Sequence, residues 1–292
     1  MKMKKSLLSI LLVALMMFSS VASADVAVGD RVITLGADLN ASQKTQILNG
    51  FGQKSEDLMV TITHQDEVKY LTGLVPPSVI GTRAISSVLI TFGDQGDGLT
   101  VETNNINWVS QDMYRNSLLT AGIKDAHVVV TAPFAVSGTA ALVGITKAFE
   151  TATGESLPEQ NKKVANEEMV KTATLADQIG DKEKAAQFIS ALKEEIQKKN
   201  PVSDADYTTI IQTVAEQMGI TLNDEQMTSL MDLLKKIKEL NIDWQGVANQ
   251  ISDIAQKANA WFENNPEKVE AGKNFLASIW NALIQLLSTF FS

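Results

Sequence analysis

Ala126-His127-Val128-Val129-Val130-Thr131-Ala132-Pro133-Phe134-Ala135-Val136-Ser137-Gly138-Thr139-Ala140-Ala141 decides how the chain reads. Ala126–Thr131 is β-branched and apolar, as a strand requires. The small and hydroxyl residues after Pro133 carry the strand end into a helix over 137–152, with Ser137 as its N-cap. Strand character recurs at Arg31–Leu35, Leu58–Thr63, Ala84–Phe92 and Leu99–Thr103. Helical stretches fall between them at 41–50, 65–72 and 110–121, with Ser42 and Ser110 as N-caps. Strands and helices in mixed order predict an α+β or α/β sandwich with a mixed sheet. The Gly93–Gly98 segment separates two strand runs and reads as a hairpin loop.

Beyond residue 154 the composition changes. Of 17 glycines, 13 lie at or before Gly154, as do all three arginines and both histidines. The rest is rich in Ala, Leu, Glu, Lys and Gln, which favour helices. Three parts are expected: a leader over 1–24, an α/β domain over 25–154 and an all-helical domain over 155–292. Thr151–Pro158 is the linker, where Gly154 ends one helix and Pro158 starts the next. Breaks at Gly180, Pro201, Gly219 and Pro266 predict five or six helices. Leu230, Leu233, Leu234, Ile237 and Leu240 recur at helical spacing as one buried stripe, and residues from Trp244 to Trp261 form another. A faint internal echo relates Ser42–Thr63 to Ser110–Thr131, each a helix, an aspartate, a strand and a second helix.

Lys2, Lys4 and Lys5 precede an apolar run from Leu7 to Phe18, then the small-x-small triplet Ala22-Ser23-Ala24. This pattern predicts a cleaved secretory signal and a mature chain that begins at Asp25, outside the cytoplasmic membrane. Cleavage removes three of the 25 basic residues and no acid, taking the formal net charge from −9 to −12. Nucleic acid is therefore not an expected partner. The absence of cysteine excludes disulfides, thiolate metal sites and thiol nucleophiles. Two histidines exclude a multi-histidine metal centre, and no cofactor is expected.

After Lys273 no charged side chain remains, and the polar residues of 274–291 lie along one narrow helical seam. Helix packing or self-association is the preferred reading of Phe275–Phe291. Membrane contact is the alternative, without cytoplasmic Lys or Arg or a basic polar face to support it.

Few residues carry chemistry. His64, Asp66 and Glu67 follow a strand end and are weak candidates for a metal site or a general base. The two acids also suit the first turn of a helix. His127 lies in a strand run, where a hydrogen-bonded structural role is favoured over catalysis with Ser137 or Ser110. Ser137, Gly138 and Thr139 form the best ligand-site candidate, since a helix start offers free N–H groups to an anion. Arg83 and Arg115 join it because arginine is scarce here and suits bidentate anion binding.

Gly29-Asp30-Arg31-Val32-Ile33-Thr34-Leu35-Gly36, Met113-Tyr114-Arg115-Asn116, Thr120–Ala126, Thr131-Ala132-Pro133-Phe134 and Ser137–Leu142 together resemble the YpuA-like family. These are secreted proteins of Gram-positive bacteria classed as a domain of unknown function. The resemblance covers about 25–290, implies an extracytoplasmic protein of two parts, and brings no catalytic residues with it. The expectation is thus a secreted or envelope-associated binding protein with an envelope or extracellular partner. A wall-directed hydrolase and a membrane-associated helical protein are the alternatives.

Overall fold

The computed structural model describes residues 27–240 and 242. The leader, the Trp244–Trp261 stripe and the terminal apolar stretch lie outside the described residues.

Five strands form one mixed sheet in the order β2-β1-β3-β5-β4: β1 (Arg31–Gly36), β2 (Leu58–Ile62), β3 (Ser87–Phe92), β4 (Leu99–Ile106) and β5 (Ala126–Val136). β3 runs antiparallel to both its neighbours, while β1 pairs with β2 and β4 with β5 in parallel. Alternation sorts the side chains. Val32, Val88, Ile90, Val128 and Val130 face one core, and Ile33 and Leu89 face a second, smaller one.

Helix α1 (Ala41–Gly50) covers the smaller core with Ile47. The larger core lies beneath α4 (Gln111–Ala121) and α5 (Thr139–Thr153). It continues without interruption through α6 (Glu159–Ile179), α7 (Lys182–Lys199), α8 (Asp204–Gln217) and α9 (Asp224–Glu239). The short α2 (His64–Leu71) and α3 (Pro77–Ile80) connect β2 to β3. The expected α+β class with a mixed sheet followed by helices is therefore the observed one. Leu230, Leu233, Leu234, Ile237 and Leu240 are all buried, as their spacing requires.

Four local readings are corrected. The Gly93–Gly98 segment closes no hairpin, because β5 lies between β3 and β4. It arches over the start of β5, where Asp125 Oδ1 accepts from Gly96 N and Gly98 N at 3.1 and 3.0 Å. Asn40 caps α1 in place of Ser42, in a capping box with Gln43. β5 runs past Pro133 because the β4–β5 register breaks between Asn104 and Ile106, where Asn105 takes a φ of 59°. Last, the echoed units are not superposable: β1–α1–β2 and β4–α4–β5 step the same way along the sheet with their helices on opposite faces. The two crossovers consequently have opposite hands.

Candidate functional site

The four mutually parallel strands direct their carboxyl ends to one edge of the sheet, the edge where open α/β sheets bind ligands. A cleft of about 410 Å³ opens there. Each contributor arrives by a different route. β5 delivers Phe134 and Ser137, α5 begins with Thr139, α2 supplies Glu67, the segment before β3 brings Thr82, Arg83 and Ser86, and Trp108 follows β4.

The floor is set at Gly138, the N-cap of α5, with a φ of 94°. A Cβ at this position would come within 2.3 Å of the Tyr114 hydroxyl and 2.5 Å of Ile106 Cγ2, so only glycine fits. Tyr114 donates to the Gly138 carbonyl from α4. No side chain of the described residues caps α5. Ser137, the expected cap, lies just past the end of β5, with its carbonyl accepting from Val109 N at 3.2 Å. Its hydroxyl lies 3.3 Å from both the Val79 carbonyl and Thr139 Oγ1. Among the described residues the first N–H groups of α5 thus have no capping side chain beside the cleft.

Glu67 is the unusual member. Its neighbour Asp66 behaves as a first-turn acid should, accepting from Thr63 N at 2.8 Å and pairing with Lys147 at 3.0 Å. One residue on, Glu67 is only 1% exposed, and among the described residues neither of its oxygens has a hydrogen-bond partner. Burial, then the nearby charges of Asp38 and Asp66, push its carboxyl up to about 8. At neutral pH it is a carboxylic acid facing a cleft. Arg83 is exposed and makes no ion pair or hydrogen bond among the described residues. Trp108 and Phe134 add aromatic surface, the former fixed by its indole N–H donating to Asp177 at 2.7 Å.

The structure therefore brings Arg83, Ser137, Gly138 and Thr139 to one place and leaves Arg115 out. Arg115 is buried on α4 and paired with Asp112. His64 opens α2 but does not line the cleft. His127 is ten residues before Ser137 on an extended strand, about 30 Å away, so the two form no catalytic pair. Its Nδ1 lies 2.8 Å from Thr100 Oγ1, at the opposite end of the sheet. Ser110 caps α4. Among the described residues no group of three or more His, Asp or Glu side chains is placed to hold a metal. Sequence reasoning singled out Glu67 only as a weak metal or general-base candidate and did not join it to Ser137 and Thr139, and it gave Trp108 and Phe134 no role in a site. The turn-forming Pro76-Pro77 and Gly81 around Arg83 were the available hint of a binding loop.

Residues 35–254 match the family described as a protein of unknown function, DUF1002. The chain belongs to the DUF1002 family. It is also 42% identical over 277 residues to the uncharacterized protein YpuA of Bacillus subtilis (strain 168), covering 94% of this chain and 95% of that protein. This bears out the resemblance read from the sequence. No solved structure matches. The DUF1002 match begins near the end of β1 and takes in every residue lining the cleft. Among the described residues no helix is long and apolar enough to cross a membrane.

Proposed function

We propose that this protein works outside the cytoplasmic membrane, free or attached to the envelope, and binds a small polar ligand in the cleft without transforming it. One observation carries the reading. Residues far apart in sequence and suited to ligand contact, Arg83, Ser137 and Thr139, line one cavity with an unpartnered buried acid. Binding is favoured over hydrolysis because Glu67 and Arg83 are, among the described residues, the only ionisable side chains lining the cleft. Acid–base catalysis of the usual kinds needs a second titrating group. The placement outside the cell rests on the leader pattern of residues 1–24 and is tested by N-terminal sequencing of protein from culture fluid and washed envelopes. A start at Asp25 supports it.

Thermal denaturation with a panel of amino acids, short peptides, sugars, organic acids and phosphate esters tests the binding role. At least one class should raise the melting temperature by several degrees, as mass action requires of a native-state ligand. Thr82→Trp, which fills the cleft mouth from an exposed position, should abolish the response. A panel without effect, or an unchanged response in Thr82→Trp, refutes this role.

A further inference from the structure

We infer that the ligand presents an oxyanion, a carboxylate or phosphate group, held between the Arg83 guanidinium, the first-turn N–H groups of α5 and the Glu67 carboxyl acting as a hydrogen-bond donor. This rests on the reading of the cleft as a binding site and gives its occupant a chemical class.

The argument begins with what each group lacks. Asp38 and Asp66, the acids beside Glu67, are already engaged. Asp38 accepts from Ala84 N at 2.8 Å, and Asp66 holds Thr63 N and Lys147. Neither offers Glu67 a donor, and their charges oppose its ionisation. From α6, Glu159 and Lys162 pair with each other at 2.8 Å, and α3 carries no titratable residue. Protonated Glu67 is left with an O–H and no acceptor among the described residues. A buried donor in that position costs about 1–3 kcal/mol.

Arg83 has the matching deficiency, since in this acidic protein it has no carboxylate partner among the described residues. The start of α5 adds N–H groups and the positive end of a 15-residue helix. A cation, a neutral donor and free amides lining one cavity all call for the same thing, an oxygen acceptor bearing negative charge. A cationic ligand would be repelled by Arg83 and would need Glu67 ionised. Trp108 and Phe134 offer their aromatic faces to whatever body carries the anion.

Protonation and binding are then linked: an anion that accepts from Glu67 retains its proton, and affinity declines once that proton is lost. Calorimetric titration of the full chain with acetate, succinate and inorganic phosphate tests this. The carboxylates keep constant charge between pH 7 and 9.5, and comparison with phosphate separates the two oxyanion sources. At pH 7 at least one of the three should bind, and any carboxylate that binds should do so at least tenfold more weakly at pH 9.5. Glu67→Gln retains an N–H donor without titrating. It should bind within threefold of wild type at pH 7 and lose the pH dependence. Arg83→Ala, at an exposed position that will fold, should weaken binding at least tenfold at both pH values.

Affinity that increases with pH, pH dependence that persists in Glu67→Gln, or indifference to Arg83→Ala overturns the inference. If only neutral or cationic solutes bind, the oxyanion assignment fails and the cleft remains a binding site. If no solute of any class binds, both fail.

Discussion

Glu67 and Glu168 are the same residue, both buried, and their surroundings could hardly differ more. Glu168, on α6, is 0% exposed and meets Lys193 Nζ at 2.9 Å and the Thr120 hydroxyl at 2.5 Å. Lys193 also donates to Thr120 Oγ1 at 2.7 Å and the Asn116 carbonyl at 3.0 Å, so all three ammonium protons are engaged. Asn116 in turn donates to the Ala186 carbonyl and accepts from Ser190. That closed network ties α4, α6 and α7 together. Glu67 has no donor among the described residues and two acids for neighbours. A buried carboxylate whose every oxygen is satisfied is holding structure. One left without partners at the base of a cleft is available to something else.

Breaking the satisfied side of this contrast should have the largest effect. Lys193→Met leaves Glu168 buried and uncompensated, and should destabilise the protein by about 3–5 kcal/mol in urea denaturation. Adding Glu168→Leu should recover most of that loss. A single variant costing under about 1 kcal/mol would show that the network contributes little.

The unsatisfied side is read through pH. The Glu67 carboxyl is raised from an ordinary 4.5 to about 8 in the folded protein. The folded state thus holds a proton that the unfolded chain releases. Its stabilising contribution is complete below about pH 4.5 and is lost progressively as pH rises through about 8. Across that window wild type should lose about 1.4 kcal/mol per pH unit relative to Glu67→Gln. Parallel stability–pH curves for the two proteins would remove the basis for a neutral Glu67.

The smallest effect belongs to Arg83→Ala. An exposed side chain with no partner among the described residues should leave stability within about 0.5 kcal/mol, so any loss of ligand affinity in this variant reports on the cleft alone.

The amino-acid sequence made the elements legible and their assembly less so. Strand and helix positions followed from alternation and helical spacing, which local physics controls. The hairpin reading of Gly93–Gly98 failed because the loop's glycines and aspartates are compatible with any tight reversal, whereas the insertion of β5 is a non-local pairing. Ser137 was read as a cap because its type and position fit one. Its hydrogen bond with Val109, just beyond the strand ends, became visible only once β5 continued past Pro133. Scarcity singled out both Arg83 and Arg115 and had no means to separate them, since Asp112 lies one turn from Arg115 on the same helix. Glu67 looked like a dipole-favouring acid because it follows Asp66. Its isolation depends on Asp38 and on the segment before β3, each brought to it by the fold.

Helix α4 touches both halves of the contrast. Tyr114 grips the Gly138 carbonyl under the cleft, while Asn116 and Thr120, less than two turns along, are bound into the lysine network. The cleft floor is therefore joined through one helix to the buried lysine network. A guest entering it would find a preorganised mould, with the entropic cost of ordering those walls already met when the chain folded.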